Sequence, residues 1–338
     1  MAKRSVMGKL VRAAIKDAER ASRRRQRELQ AMAREAARQA ERERAAYEVE
    51  VVQNQMDLLT SIHREATPPI DWQVIVSAPA PPLPALDRSA STAARAALEQ
   101  YRPGFFARLL GLDRRPKLEQ ALADALAAEA SRQVQLEQEH AAALEQWEGH
   151  REYARGVLAG EADLYNEVLR DSRCLEELEQ HGCSLQLWWL HPTLARIDLR
   201  IEQDSVVPQE EKTLTATGKV STKKMPAARR MEVYQDYVCG AALRAARELL
   251  AVLPLRAVLV NVKCELLNSS TGHFEDSTVV SVYCPRERME RLHFDRADAS
   301  EVVSSFVHAM KLTRGKGLTA VQPLEPETFL QGLPARVG

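Results

Sequence analysis

The sequence lacks the short motifs that would assign an enzyme class. Its 338 residues contain no Gly-x-Ser-x-Gly elbow, no HExxH zinc motif, no GxGxxG loop and no EF-hand loop. The five cysteines form no CxxC pair, and no paired Cys/His spacing indicates a zinc site. We therefore expect neither a metal nor a cofactor, and the motifs indicate no reaction.

Aromatic residues and long apolar runs are also scarce. Phe, Trp and Tyr make up 5% of the chain, while Ala, Glu, Arg and Leu dominate, which is typical of long helices rather than of one large core. No segment approaches the roughly 18 apolar residues that a membrane-spanning helix needs. The basic start of the chain is not followed by the apolar core of a signal peptide. The odd number of widely spaced cysteines predicts reduced, mostly buried thiols in a cytoplasmic protein.

What the sequence does contain is a long uninterrupted helix over residues 1–66. No proline precedes Pro68 and no glycine follows Gly8 in this segment, so nothing breaks the helix. Its apolar stripe is thin and rich in alanine as far as Ala40, and it becomes thicker afterwards. A helix of about 60 residues with so weak a seam is not stable as an isolated rod, so we predict a partner helix.

A second long helix and a proline-rich segment are predicted next. Residues 67–115 are typical of an extended Pro-rich strap with a short apolar helix. Residues 116–180 predict a second coiled-coil helix with a helical cap, because apolar residues recur there mostly in steps of three or four. We expect the two long helices to form an antiparallel coiled-coil hairpin.

The remaining segment predicts an α+β domain over residues 181–325, followed by a tail at 326–338. Alternating apolar and polar residues at 184–190 and 196–203 predict one β-hairpin, and 258–267 with 277–284 predict another. A helix of about 25 residues lies between the hairpins. The order is therefore ββ-α-ββ-α, with a mainly antiparallel sheet covered on one face.

Two local predictions complete this domain. Residues 208–225 are polar and rich in Lys and Thr, which indicates a surface loop. A last helix is expected from Ser300 to about Leu312, because Ser300 suits the N-cap position. On the long helix of the domain, Arg244, Arg247 and Glu248 are predicted to form surface pairs.

Positive charge is concentrated at the N-terminus of a chain that is neutral overall. Residues 3–44 contain fourteen Lys or Arg against six Asp or Glu. Over residues 34–50 the signs alternate, as on a solvated coiled-coil face, but residues 3–27 lack that compensation. A basic helix of this kind suits nucleic-acid phosphates, an anionic membrane surface or an acidic protein. The residues predicted to bind such anions are Lys3, Arg4, Lys9, Arg12, Lys16, Arg20, Arg23, Arg24, Arg25 and Arg27.

Two apolar groups of side chains predict contacts with a protein partner. One is a short apolar patch between the two long helices, which is too short to span a membrane. The other is a tryptophan pair on the first predicted strand, where alternation places one ring on each face of the sheet. The residues of both groups are Phe105, Phe106, Leu109, Leu110, Trp188 and Trp189.

One arrangement of charged residues is compatible with hydrolysis. Magnesium-dependent nucleases place an acidic residue on one strand and an acid-x-Lys sequence on the next. Asp198 or Asp204 followed by Glu210 and Lys212 supplies these residue types. Glu210 and Lys212, however, lie in a polar segment rather than in an apolar central strand.

Together these patterns predict a non-enzymatic coiled-coil scaffold or interaction protein of bacterial type. We expect it to form homo-oligomers, because the thin seam and the second tryptophan face need more apolar surface than one chain supplies. Two alternatives remain open. One is a nucleic-acid-binding module that uses the basic helix, and the other is a metal-dependent nuclease-like hydrolase in the C-terminal domain.

Overall fold

The computed structural model describes most of the chain as two compact units. One unit comprises residues 1–68 and 173–338, and the other comprises residues 69–172. The first long helix therefore belongs to the same unit as the C-terminal sheet. The described residues are 2–102, 114–202, 206–267, 270–313 and 317–331.

The secondary structure elements are mixed, with helices predominating. The helices are α1 (Ala2–Ser61), α2 (Trp72–Ser77), α3 (Ser89–Gln100), α4 (Arg115–Ala159), α5 (Ala162–Ser172), α6 (Glu176–Gln180), α7 (Ala227–Val252), α8 (Arg286–Met289), α9 (Ala299–Ser305) and α10 (Glu327–Leu330). The strands are β1 (Cys183–His191), β2 (Leu194–Ile201), β3 (Glu210–Leu214), β4 (Val220–Lys224), β5 (Ala257–Leu267), β6 (Phe274–Pro285), β7 (Val307–Met310), β8 (Leu312–Thr313) and β9 (Gly317–Leu318).

The first unit is built around a five-stranded sheet with the strand order β1-β2-β5-β6-β7. Within it, β2 and β5 run parallel and the other three neighbouring pairs run antiparallel. The prediction of a mainly antiparallel sheet in a mixed α and β chain is thus confirmed. The connection from β2 to β5 includes α7. Parallel neighbouring strands need a long connection of this kind, because a short turn cannot join them.

Helix α7 covers one face of this sheet. The residues of β2 that point toward α7 alternate along the strand, and Ile197, Leu199 and Ile201 are fully buried. The hydroxyl group of Tyr234 on α7 donates a hydrogen bond to Sγ of Cys264 on β5, at 2.6 Å. The hydrophobic core of the unit therefore lies between α7 and this face.

The opposite face is covered in part by the C-terminal segment, which sequence analysis did not predict. The backbone N–H of Leu324 donates to the hydroxyl oxygen of Ser281 at 3.0 Å. The ring of Phe329 stacks on Tyr283 with centroids 4.0 Å apart. As a result the first six residues of β5 are buried on both faces of the sheet.

Two local predictions in this unit are wrong. Residues 208–225 form the β3–β4 hairpin rather than a loop, because α1 supplies a surface for it. Lys212 lies 3.6 Å from Glu48 of α1, and the turn of the hairpin has Gly218 against the side chain of Arg42. That support comes from a distant part of the sequence, so the local pattern did not reveal it.

The predicted helix over residues 300–312 is also shorter than expected. It ends as α9 at Ser305, and the chain then continues as the edge strand β7, which pairs with β6. The unpaired backbone groups along the edge of β6 take up hydrogen bonds from this segment. Phe306, the residue between the helix and the strand, is buried.

In the second unit, the proline-rich segment lies along α4. An extended segment of this kind leaves its carbonyl groups without backbone partners, and side chains of α4 donate to them. His140 bonds the carbonyl oxygen of Pro81 at 2.9 Å, and Trp147 that of Ala78 at 3.0 Å. The segment therefore runs antiparallel to α4. The predicted pairing of α1 with α4 as a coiled-coil hairpin stays a prediction.

The crossing of α1 over α7 is close at Gly240. A Cβ atom at this position would lie 2.9 Å from the buried Cγ2 atom of Ile62. The helix interior normally gains about 1 kcal/mol when Gly becomes Ala. We expect the overlap to outweigh this gain, so that Gly240→Ala destabilises the first unit by about 1–3 kcal/mol. Urea unfolding of the full chain measures the change.

Gly149 provides the matched control. It lies within α4, and a Cβ atom there would have no atom within 4 Å. We expect Gly149→Ala to stabilise the second unit by up to about 1 kcal/mol, in line with helix propensity alone. The same Gly→Ala change is thus expected to lower the free energy of unfolding at position 240 and to raise it at position 149. Stabilisation by both would contradict the close crossing of α1 and α7.

Candidate interaction surface

Helix α1 has one face that packs on the first unit. From residue 45 onward, apolar side chains point toward α7 and the β3–β4 hairpin, and their spacing of three or four residues keeps them on one side of the helix. Buried residues on this side are Ala45, Val49, Leu59, Ile62 and His63. Among the side chains of α1 that the structure describes, the buried ones lie in its C-terminal third.

A second apolar stripe of α1 is exposed. We define the exposed stripe as Leu29, Met32, Ala36, Ala40, Tyr47 and Val51. The exposed fraction is 61% for Leu29, 67% for Met32, 67% for Tyr47 and 46% for Val51. Large apolar side chains that recur on one side of a helix and remain this accessible indicate a surface for a partner.

The exposed stripe lies on the side of α1 opposite the packed face. With 3.6 residues per turn, positions two apart, such as Val49 and Val51, point about 200° away from each other. The stripe begins at Leu29, well before the first packed residue, Ala45. From Ser22 to Arg44, every described side chain of the helix is exposed. Residues 22–44, the bare part of α1, therefore form about 33 Å of accessible helix, in which Arg42 also contacts Gly218 of the hairpin.

The C-terminal end of α1 is held by arginines from α7. Nη1 of Arg247 donates to three consecutive carbonyl groups, those of His63, Arg64 (2.8 Å) and Glu65 (3.2 Å). These carbonyl groups follow the last residue of α1, Ser61, where the negative end of the helix dipole attracts a cation. The guanidinium of Arg247 also lies 4.1 Å from the centroid of Phe294, which keeps it in place.

A buried ion pair completes this attachment. Glu248 is fully buried, and its carboxylate accepts hydrogen bonds from the backbone N–H of Thr67 at 3.1 and 3.2 Å. Nε of Arg244 lies 2.5 Å from the same carboxylate, and Nη2 of Arg244 lies 2.6 Å from Glu177 of α6. The prediction that these α7 residues form surface pairs is wrong. No signal in the sequence revealed that α1 covers them.

His63 contributes an uncharged group to the same junction. Its ring is buried, and Nε2 lies 3.0 Å from the carbonyl oxygen of Ala297, to which it donates. Burial lowers the pKa of His63, although the bond to Ala297 acts in the opposite direction. The ring is therefore neutral at pH 7, and the positive charge at this end of α1 comes from the arginines.

The outer face of the sheet carries a polar cluster centred on Asp198. The carboxylate of this buried residue accepts from Nε and Nη2 of Arg196 at 2.8 and 2.7 Å, and from Asn261 at 2.9 Å. Nζ of Lys263 lies 2.7 Å away. Burial raises the pKa of Asp198, but these partners outweigh burial and lower the pKa below its ordinary value. The cluster is a charged, hydrogen-bonded part of the structure.

The predicted hydrolase residues that the structure describes lie on two different sheets. Asp198 lies on β2, whereas Glu210 and Lys212 lie on β3, in a separate two-stranded sheet, and Lys212 pairs with Glu48. Asp204 lies outside the described residues. Within the part of the chain that the structure describes, no group of three His, Cys, Asp or Glu side chains is placed to hold a metal ion.

The predicted anion-binding residues divide into two sets. The side chains of Arg23, Arg24, Arg25 and Arg27 are exposed on the bare part of α1. The side chains of the other six lie outside the described part of the structure, although the backbone there is helical. These six are Lys3, Arg4, Lys9, Arg12, Lys16 and Arg20.

The predicted partner-docking residues are only partly described. Phe105, Phe106, Leu109 and Leu110 lie outside the described residues. Trp188 is 39% exposed, and the guanidinium of Arg196 lies 4.7 Å from its ring centroid. Trp189 is half-buried. One ring of the pair is thus more accessible than the other, as the alternation of the strand requires.

The five cysteines are all buried and none forms a disulfide. Burial raises the pKa of Cys284 to about 12 and that of Cys183 to about 11. At neutral pH these thiols keep their protons, and the thiol is much less reactive than the thiolate. They act as small apolar side chains of the core. Among the residues that the structure describes, no helix is both long and apolar enough to cross a membrane.

Comparison with known proteins adds no assignment. No protein family, no curated protein and no solved structure matches this chain. The functional argument therefore depends on the geometry of α1 and of the unit to which it is attached.

Proposed function

We propose that this protein is a non-enzymatic scaffold that self-associates through the exposed stripe of α1 and presents the sheet-containing unit. The observation that carries the proposal is the position of the stripe. It lies opposite the packed face of the same helix, so a partner helix can bind there while α1 stays attached to its own unit. Burying Leu29, Met32, Tyr47 and Val51 would remove apolar surface from water, which favours association.

The anchoring of α1 supports a structural role. A helix whose end is bound by Arg244, Arg247 and Glu248 is held in a defined direction relative to its unit. Association through such a helix fixes how the presented units are arranged. A flexible tether would join them without setting their orientation.

Sedimentation velocity of the full chain tests self-association. We expect the wild-type chain to form an oligomer, and Leu29→Glu to shift it toward the monomer, because a buried unpaired charge opposes association. Gln30→Glu is the matched control, since it adds the same charge one residue away, about 100° around the helix. A monomeric wild-type chain, or equal effects of the two variants, would contradict the proposal.

The nucleic-acid-binding alternative is supported by one observation. Arg23, Arg24, Arg25 and Arg27 are exposed on the bare part of α1, where they are accessible to phosphates. The two functions differ in what neutralises these arginines, a nucleic acid or another protein chain. The hydrolase alternative has no comparable observation in its favour.

A further inference from the structure

The charges of α1 are separated along its length. The segment 22–27 contains four arginines and no acidic residue, whereas the segment 45–62 contains Glu48, Glu50 and Asp57 and no Lys or Arg. Glu50 and Asp57 are exposed. The two segments lie on either side of the middle of the exposed stripe. The helix is thus basic before the stripe and acidic at and beyond its far end.

The exposed stripe is also nearly symmetric about its centre. Leu29 and Val51 each lie eleven residues from Ala40, and Met32 and Tyr47 lie eight and seven residues from it. Ala36 has no apolar counterpart, because the equivalent position on the other side is Arg44. If a second copy of α1 is turned end for end about Ala40, the Leu29 of one copy comes opposite the Val51 of the other. The same operation brings the arginine segment of each copy next to the acidic segment of its partner.

A parallel arrangement would have the opposite electrostatic result. It would place the arginine segment of one copy against the same segment of the other, and Glu50 against Glu50. Like charges at such positions destabilise helix pairs, and opposite charges across a helix interface set the orientation of the partner. A closed two-fold dimer also uses the same surface of both copies, as this stripe allows.

We infer that the occupant of the exposed stripe is the stripe of a second copy, bound antiparallel about a two-fold axis near Ala40. This inference depends on the proposed function, which states only that α1 associates. Of the four arginines that follow Ser22, Arg25 lies on the stripe side of the helix, and in this dimer it comes beside Asp57 of the second copy. Arg25 is then neutralised by protein, so that part of the basic segment belongs to a dimer interface rather than to a phosphate-binding arm.

Disulfide trapping in the full chain distinguishes the orientations. Under mild oxidation, we expect no intermolecular disulfide in Leu29→Cys alone or in Val51→Cys alone. In an antiparallel dimer, like positions at the ends of the stripe are about 33 Å apart, and a disulfide needs Cα atoms about 4.4–6.8 Å apart. An equimolar mixture of the two variants should form the mixed disulfide as its main product.

Ala40→Cys is the control for association itself, because position 40 meets its own copy in either orientation. The wild-type chain is the background control, since its five cysteines are buried. A disulfide in Leu29→Cys alone would show a parallel pair and overturn this inference while leaving self-association standing. If Ala40→Cys gives no intermolecular disulfide and the chain is monomeric, both the inference and the proposed function fail.

A second helix of the same chain is the remaining alternative occupant. Leu126 and Val134 of α4 are also exposed apolar residues, and the sequence predicts a hairpin between α1 and α4. Leu29→Cys combined with Leu126→Cys would detect it as an intramolecular disulfide in a monomer. That outcome would overturn the inference of a second copy.

Discussion

Replacing Arg244 by methionine is expected to destabilise the sheet-containing unit by about 3–5 kcal/mol, because it leaves a buried carboxylate without its cation. Glu248 is fully buried and lies 2.5 Å from Nε of Arg244. The substitution also removes the contacts of Arg244 with Glu177 and with the carbonyl group of Ile62. Urea unfolding of the full chain measures the loss. Amide hydrogen exchange of α7 assigns the transition to this unit.

Two further variants make the result specific. Arg229→Met removes an arginine from the same helix, but Arg229 and its partner Glu232 are more than half exposed, so we expect a change within about 0.5 kcal/mol. The double variant Arg244→Met with Glu248→Leu should recover most of the loss, since no buried charge remains. The Thr67 N–H then lacks its acceptor, at a cost of about 1 kcal/mol. A single variant as stable as the wild type would contradict the buried pair.

The second large effect is expected at Asp198. Asp198→Asn removes the carboxylate that holds Arg196, Asn261 and Lys263 on the outer face of the sheet. We expect a loss of about 2–3 kcal/mol at pH 7. This is less than for Arg244, because Arg196 and Lys263 are partly exposed and can be hydrated when their partner is lost.

This effect should depend on pH with a defined sign. The folded state lowers the pKa of Asp198 below its ordinary value of 3.8. Its contribution to stability is therefore fully present above that value and is lost as the pH falls through the lower folded-state pKa. The difference in unfolding free energy between wild type and Asp198→Asn should be constant near neutral pH and shrink below about pH 4.

Asp276→Asn is the matched control for Asp198. Asp276 is also in the five-stranded sheet and pairs with an arginine, Arg200, at 3.1 Å, but both groups are well exposed. We expect a change within about 0.5 kcal/mol and only a small pH dependence. Equal losses in the two variants would show that burial of Asp198 does not matter, contrary to the structure.

Periodicity in the sequence was sufficient to predict the long helix α1 and the paired strands of the main sheet. Both patterns are local: uninterrupted helix-forming residues as far as Pro68, and alternation along β2 at Ile197, Leu199 and Ile201. The same alternation predicted that Trp188 and Trp189 lie on opposite faces of the strand, without indicating which of them is the more accessible. These features follow from contacts that residues make with near neighbours or with one side of an element.

The errors occurred where a distant segment decides the local structure. The β3–β4 hairpin forms because α1 supplies its support at Glu48, and β7 forms because the edge of β6 is open for pairing. Neither segment carries a strong strand pattern of its own. Whether such a segment forms a strand depends on the segment that packs or pairs beside it.

The sequence alone identified α1 as a helix with a thin apolar seam and an unusual charge distribution, because helical periodicity and charge are properties of neighbouring residues. Only the tertiary structure divided that seam into a packed face and an exposed stripe. Only it showed that Arg247 and the buried pair of Arg244 and Glu248 attach the end of the helix. Burial depends on which distant segments come into contact. The local sequence pattern is the same for a polar side chain that is exposed to water and for one that is buried with a partner.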